Sequence, residues 1–144
     1  MTGLYDTIAA IATGMNQGGI GVIRVSGDQA IAVVDSIFIP KKKGKEIRNL
    51  DSYTAAYGNV INPKDNSIID EVIVLVMKAP HTYTKEDVVE IDCHGGMQVM
   101  KEILHVLISN PVDINNSSSS SLNDNVVKNK LSHPNVRLAR PGEF

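Results

Sequence analysis

The sequence predicts an α+β domain in which a mixed or antiparallel sheet carries two main helices. Three observations predict it. "TAAYGNVI" and "SIIDEVIVLVMKAP" are strand-like and flank the turn-forming "NPKDNS", which reads as a hairpin. Only two stretches carry helical spacing, too few for a doubly wound sheet. The coarse order along the chain is β-β-α-β-β-β-α-β, with no internal repeat.

The elements follow in turn. "TIAAIATG" is a short apolar run leading into the glycine-rich "GMNQGG". "IGVIRVSG" suits a strand through Val22 and Ile23, with Arg24 interrupting the apolar stretch. "SGDQAIAVVDSIF" reads as a helix: Ser26 and Gln29 have capping-box spacing, and Ile31, Val34, Ile37 and Phe38 form one stripe that Pro40 ends. Lys41, Lys42, Lys43, Lys45 and Arg48 crowd a polar stretch that reads as a solvated loop, with contact to RNA or an acidic partner as the lesser alternative. The hairpin follows. Its second strand, Ile68 to Met77, is apolar enough to be central, with Asp70 and Glu71 near its start. "HTYTKED" is a polar loop, and the next strand runs into "GMQVMKEILHVLISN". There Met100, Ile103, Leu104, Leu107 and Ile108 make the core stripe of a second helix that Pro111 closes. Residues 113 to about 133, with five consecutive serines among asparagines, read as a disordered insertion. "NVRLARPGEF" is strand-like, and a strand followed by a turn predicts that more chain belongs after Phe144.

Bulk properties exclude classes. The 144 residues are about one domain, with 42% apolar and 21% charged residues, as in an ordinary globular protein. A net charge of −2 supplies no global pull towards nucleic acid or membrane. One cysteine allows no internal disulfide and fits a reducing compartment. No apolar run reaches spanning length, and the N-terminus lacks a basic leader region. Aromatic residues make up only 4%, so stacking platforms for single-stranded nucleic acid are scarce. "GMNQGGIG" and "KKKGKE" do not make a phosphate loop, since G-x-x-x-x-G-K-[ST] occurs nowhere. The chain by itself is not expected to hydrolyse a nucleotide.

The chemistry concentrates in "EDVVEIDCHGG", Glu86 to Gly96. Period-two alternation puts Val89, Ile91 and Cys93 on one face and Glu90, Asp92 and His94 on the other. Four readings compete: a metal site, an acid/base pair, a ligand rim and a wet face. A metal is disfavoured because alternate residues stand about 6.6 Å apart along a strand, and no H-x-x-x-H or C-x-x-C completes a sphere. Glu90 and Asp92 could shift each other's proton affinity, but no nucleophile stands near. Cys93 reads as a small core residue. Gly95 and Gly96 would allow a ligand close to the backbone at a helix start. A carboxylate there suits a ligand with adjacent N–H donors, such as a pterin or guanine edge. Arg24 complements it, either towards a ligand or in a structural salt bridge with Glu90 or another acid.

Four blocks, "DTIAAIAT", "GGIGVIRVSG", "VMKAPHTYTKEDVVEIDCHGG" and "RLARPGEF", together resemble the N-terminal domain of the MnmE/TrmE tRNA-modification GTPases over nearly the whole chain. The insertion after the second helix, and His81 and Thr82, depart from the pattern. The resemblance implies a single domain over residues 1–144, similar to the folate-binding module of the glycine-cleavage T-protein. It further implies a tetrahydrofolate cofactor (5-formyl- or 5,10-methylene-tetrahydrofolate), homodimerisation, and work with the flavoprotein MnmG on C5 of the tRNA wobble uridine. GTP, Mg²⁺ and K⁺ would act only through a G domain that this sequence does not contain, and the setting would be the cytoplasm or an organelle interior. By position, Arg24 and Glu90 fall on the family's folate site, with His94, Gly95 and Gly96 as its wall; Asp92 receives no role, and no metal ligand or catalytic residue is assigned. Further family lysines lie beyond this sequence, so the alternative is a dimerisation and partner-docking module without folate affinity. A stand-alone aminomethyltransferase of the T-protein type is disfavoured by length.

Overall fold

The computed structural model describes residues 6–12, 19–80, 86–109, 136–140 and 143. The "GMNQGG" loop apart from its last glycine, most of "HTYTKED", Pro111 and the insertion at 113–133 lie outside the described residues. The elements are β1 (Thr7–Ile11), β2 (Gly21–Ser26), α1 (Ala30–Asp35), β3 (Phe38–Pro40), a 3₁₀ turn (Ile47–Asn49), β4 (Thr54–Ile61), β5 (Ile68–Met77), β6 (Val88–Cys93), α2 (Met97–Ser109) and β7 (Val136–Leu138).

The seven strands form one mixed sheet in the order β3-β4-β5-β6-β2-β1-β7. All neighbours are antiparallel except β1 and β7, which run parallel. The β4–β5 hairpin forms as its turn chemistry predicts. Asn62 donates to Ser67 O and accepts from Asn66 N, and Asn66 takes the positive φ of 61° that asparagine tolerates. β5 lies inside the sheet, as its apolar run requires.

Alternation sorts the two faces. Ile23 and Val25 of β2, Val89 and Ile91 of β6, and Val72, Val74 and Val76 of β5 are buried towards the helices. α2 adds Met100, Ile103, Val106 and Leu107, with Leu104 and Ile108 partly buried beside them. α2 packs on β1, β2, β5 and β7, and α1 on β6 and β3. Both helices thus cover one face, and the other is left open over much of its area. Cys93 is 1% exposed within this core, and burial among Asp70 and Asp92 pushes its thiol up to about 12, so it is an inert packing group.

The first helix departs from expectation. It spans only Ala30–Asp35, and its buried face is Ala30, Val33 and Val34. Gln29 is the N-cap and no capping box forms. Ser26 is held in β2, opposite Ile8 and Val88, so its backbone cannot turn into a helix start. The Thr7 hydroxyl takes over in part, accepting from Gln29 N at 3.0 Å. Ile37 and Phe38 are buried, but beyond the helix. Phe38–Pro40 is a short edge strand on β4 that the predicted order lacked. Pro40 does not terminate a helix. It sits in this edge strand, where its missing N–H costs no internal ladder bond.

Candidate functional site

The open face is built from two adjacent rows of cross-strand neighbours. One row reads Ala10, Arg24, Glu90, Leu75 and Ala55; the next reads Val22, Asp92, Ile73 and Tyr57. Register therefore sets Arg24 directly opposite Glu90. Arg24 Nε donates to Glu90 Oε1 at 3.1 Å, with the two side chains 34% and 17% exposed. They meet although they are 66 positions apart in sequence. The ligand reading and the salt-bridge reading are both compatible with this pair.

Asp92 stands next to Glu90 on the same face, and its Oδ1 is buried without a hydrogen-bond partner among the described residues. Burial, reinforced by the neighbouring Glu90 carboxylate and opposed by Arg24, raises its proton affinity. A buried orphan acceptor of this kind is costly and is a natural contact for a ligand N–H.

Beside these residues lies a cavity of about 360 Å³ lined by Ile20, Tyr57, Glu71, Ile73, Asp92 and His94, with Val72 and Cys93 behind. Its floor is apolar and its rim is a phenol, two carboxylates and an imidazole. Tyr57 donates from its hydroxyl to Glu71 Oε1 at 2.7 Å, while Lys41 Nζ stands 3.2 Å from Glu71 Oε2. The hydrogen bond from Tyr57, and then Lys41, hold the Glu71 carboxyl below the usual range, and the same bond raises the Tyr57 phenol.

Of the predicted wall, His94 lines the cavity, whereas Gly95 and Gly96 lie exposed at the start of α2. Gly96 has φ +89°, a conformation that glycine adopts without strain and that turns the chain from β6 into the helix. The His94 and Gly95 N–H groups donate to Asp70 Oδ2 at 3.0 and 3.2 Å. They are thus engaged by a side chain from β5. Sequence reasoning gave no role to Asp70, Tyr57, Glu71 or Ile73. Tyr57 and Ile73 face each other across the predicted hairpin, but the register shifts between Val60 and Ile61, so counting outward from "NPKDNS" would have set Tyr57 opposite Val72 instead.

A second cluster lies at the sheet's far edge. Arg137 of β7 binds Glu143 through Nη1 and Nη2 at 2.9 and 2.6 Å, and Asp6 through Nε at 2.8 Å. It ties β7 to the start of β1. Among the described residues no group of three or more metal-ligating side chains occurs, and no helix is long and apolar enough to cross a membrane.

The described residues thus form an α+β domain with both described helices on one face of the sheet and a paired guanidinium and carboxylate on the other. The comparisons give the family. The family described as GTP-binding protein TrmE N-terminus matches residues 7–144, and the chain belongs to it. It is 52% identical over 139 residues to the tRNA modification GTPase MnmE of Lachnoclostridium phytofermentans, covering 96% of this chain and 25% of the relative. Against the protein of that name from Carboxydothermus hydrogenoformans it is 41% identical over 141 residues, covering 98% and 25%. Against that of Lactiplantibacillus plantarum the identity is 49% over 140 residues, covering 97% and 24%. The chain thus spans about a quarter of the length of these relatives.

Proposed function

We propose that this chain is the tetrahydrofolate-binding and homodimerisation domain of a GTPase that modifies C5 of the tRNA wobble uridine together with an MnmG-type flavoprotein. The observation that carries the reading is the Arg24–Glu90 pair on the open face, two residues along β6 from the orphaned Asp92 Oδ1. A reduced pterin presents paired N–H donors on one edge. Glu90 and Asp92 supply acceptors for that edge, and Arg24 supplies donors for a ligand carbonyl or carboxylate. His94 bounds the adjoining cavity. The bound folate would supply the one-carbon unit, while the protein supplies position, charge and exclusion of water. The likeness to the T-protein folate module, and residues 1–144 as a single domain, belong to this reading, as does a cytoplasmic or organellar setting. GTP, Mg²⁺ and K⁺ would be served by a G domain outside this sequence.

Titration of the chain with 5-formyltetrahydrofolate tests the proposal. Glu90→Gln and Arg24→Ala are expected to weaken binding at least tenfold; affinity equal to the parent's would remove the site assignment. A second reading, an interaction module without folate affinity, draws on the exposed Ile39, Tyr57 and Ile73 of the open face. Sedimentation separates the two: dimers that fail to take up folate favour the module.

A further inference from the structure

The lysine cluster of residues 41–45 is not used by the folate site, and the fold gives it a definite place. After Pro40 the chain stays on the sheet edge, because Lys41 N donates to Tyr57 O at 3.0 Å. It then turns tightly. Lys45 N donates to Lys42 O at 3.3 Å, and Gly44 takes the φ of +85° that such a turn demands. Lys41 is neutralised by Glu71. Lys42, Lys43 and Lys45 are exposed and hold no ion pair among the described residues, so the turn gathers three uncompensated ammonium groups. The chain's overall charge of −2 makes this concentration local rather than general.

The turn leaves the sheet at Tyr57, which lines the 360 Å³ cavity together with Ile73, Asp92 and His94. Tyr57 is 49% and Ile73 47% exposed, an aromatic and an aliphatic surface that are held in place and still wet. The Tyr57 ring is fixed by its bond to Glu71, and Glu71 by Lys41. Cationic turn and flat apolar hollow are therefore joined through one chain of contacts: Lys41, Glu71, Tyr57. Proteins that grip single-stranded nucleic acid combine these two parts, cations along the phosphates and an aromatic face for an unstacked base.

We infer that this edge of the open face is an RNA-strand contact: Lys42, Lys43 and Lys45 hold phosphates, and the Tyr57–Ile73 cavity takes one unstacked base. RNA is favoured over an acidic peptide because the relatives are named tRNA modification GTPases and because an acidic peptide has no use for the cavity. The inference rests on the tRNA reading proposed above but not on the folate site.

The test is fluorescence anisotropy of the full chain with a labelled RNA hairpin carrying a seven-base loop, over a salt series, with heparin as a polyanion without bases. Removing three phosphate contacts in K42Q/K43Q/K45Q is expected to weaken RNA binding about tenfold or more at low salt and to flatten the log–log salt slope by about 2. Tyr57→Ala is expected to weaken RNA binding about tenfold and leave heparin binding unchanged, while Tyr57→Phe keeps the ring and keeps RNA affinity. The triple variant should titrate folate like the parent, and Glu90→Gln should keep RNA affinity, so failure of either proposal is read separately. No RNA binding by the parent, an unaltered salt slope in the triple variant, or equal loss of RNA and heparin in Tyr57→Ala would each overturn the inference.

Discussion

Removing Arg24 should produce a destabilisation that depends on pH in a definite direction. At 3.1 Å, attraction between Arg24 and Glu90 amounts to roughly 5 kcal/mol at an effective dielectric constant near 20, before desolvation and side-chain entropy are charged against it. Fully exposed pairs retain about 0.2–1 kcal/mol, and stripping one partner from a buried pair costs about 3–5 kcal/mol. With side-chain exposures of 34% and 17%, this pair falls between, and Arg24→Ala should cost about 2 kcal/mol near neutrality. The variant leaves Glu90 and Asp92 facing each other without their cation. Asp92 already has a raised proton affinity that Arg24 opposes, so the change raises it further. A carboxyl whose folded pKa lies above its unfolded value stabilises the fold below the unfolded pKa and loses that contribution as pH rises through the folded one. The deficit of Arg24→Ala should therefore be greatest near neutral pH and shrink as pH falls towards the ordinary aspartate range. Urea unfolding followed by far-UV circular dichroism reads it directly. A loss of about 2 kcal/mol moves the midpoint by about 1 M for a domain of this size. Adding Glu90→Gln to the variant should recover at least half. A deficit that does not shrink as pH falls from neutrality towards the ordinary aspartate range, or one untouched by Glu90→Gln, would refute the electrostatic reasoning.

Two further outcomes are expected. Asp70→Ala strips the shared acceptor from the His94 and Gly95 N–H groups at the start of α2 and should cost about 1 kcal/mol in thermal unfolding, with Asp70→Asn recovering part of it. Glu143 is held down to about 2 by its hydrogen bonds from Arg137 and then from the Arg140 N–H. That contribution is complete above the ordinary glutamate range and disappears as pH falls towards 2. Amide signals of Val136–Leu138 should accordingly shift on acidification, and Glu143→Gln should show the shifted state already at neutral pH.

What could be read in the sequence was what is periodic. Alternation assigned Ile91 and Cys93 to the core and Glu90 and Asp92 to the opposite face, and helical spacing placed Met100, Ile103 and Leu107 inside. Periodicity misled at α1, because Ile37 and Phe38 continue a helical stripe yet reach the core from a turn and an edge strand. β3 carried no signal of its own, being three residues long and ending in proline. Asp70 was opaque for another reason: its partners lie 24 and 25 positions away on a different strand, and no local pattern encodes such a bond. Alternation could set the faces of Arg24 and Glu90, but their meeting depends on the β2–β6 register, which only the assembled sheet determines.

That register has a kinetic and thermodynamic corollary. β2 takes one neighbour from the first residues of the chain and the other from beyond its middle, so nothing resembling the Arg24–Glu90 grip exists in the early, local β4–β5 hairpin. The grip appears only once distant segments have zipped together, and anything that settles on it clasps the whole architecture rather than one corner. Affinity there would double as a gauge of how completely the chain has folded.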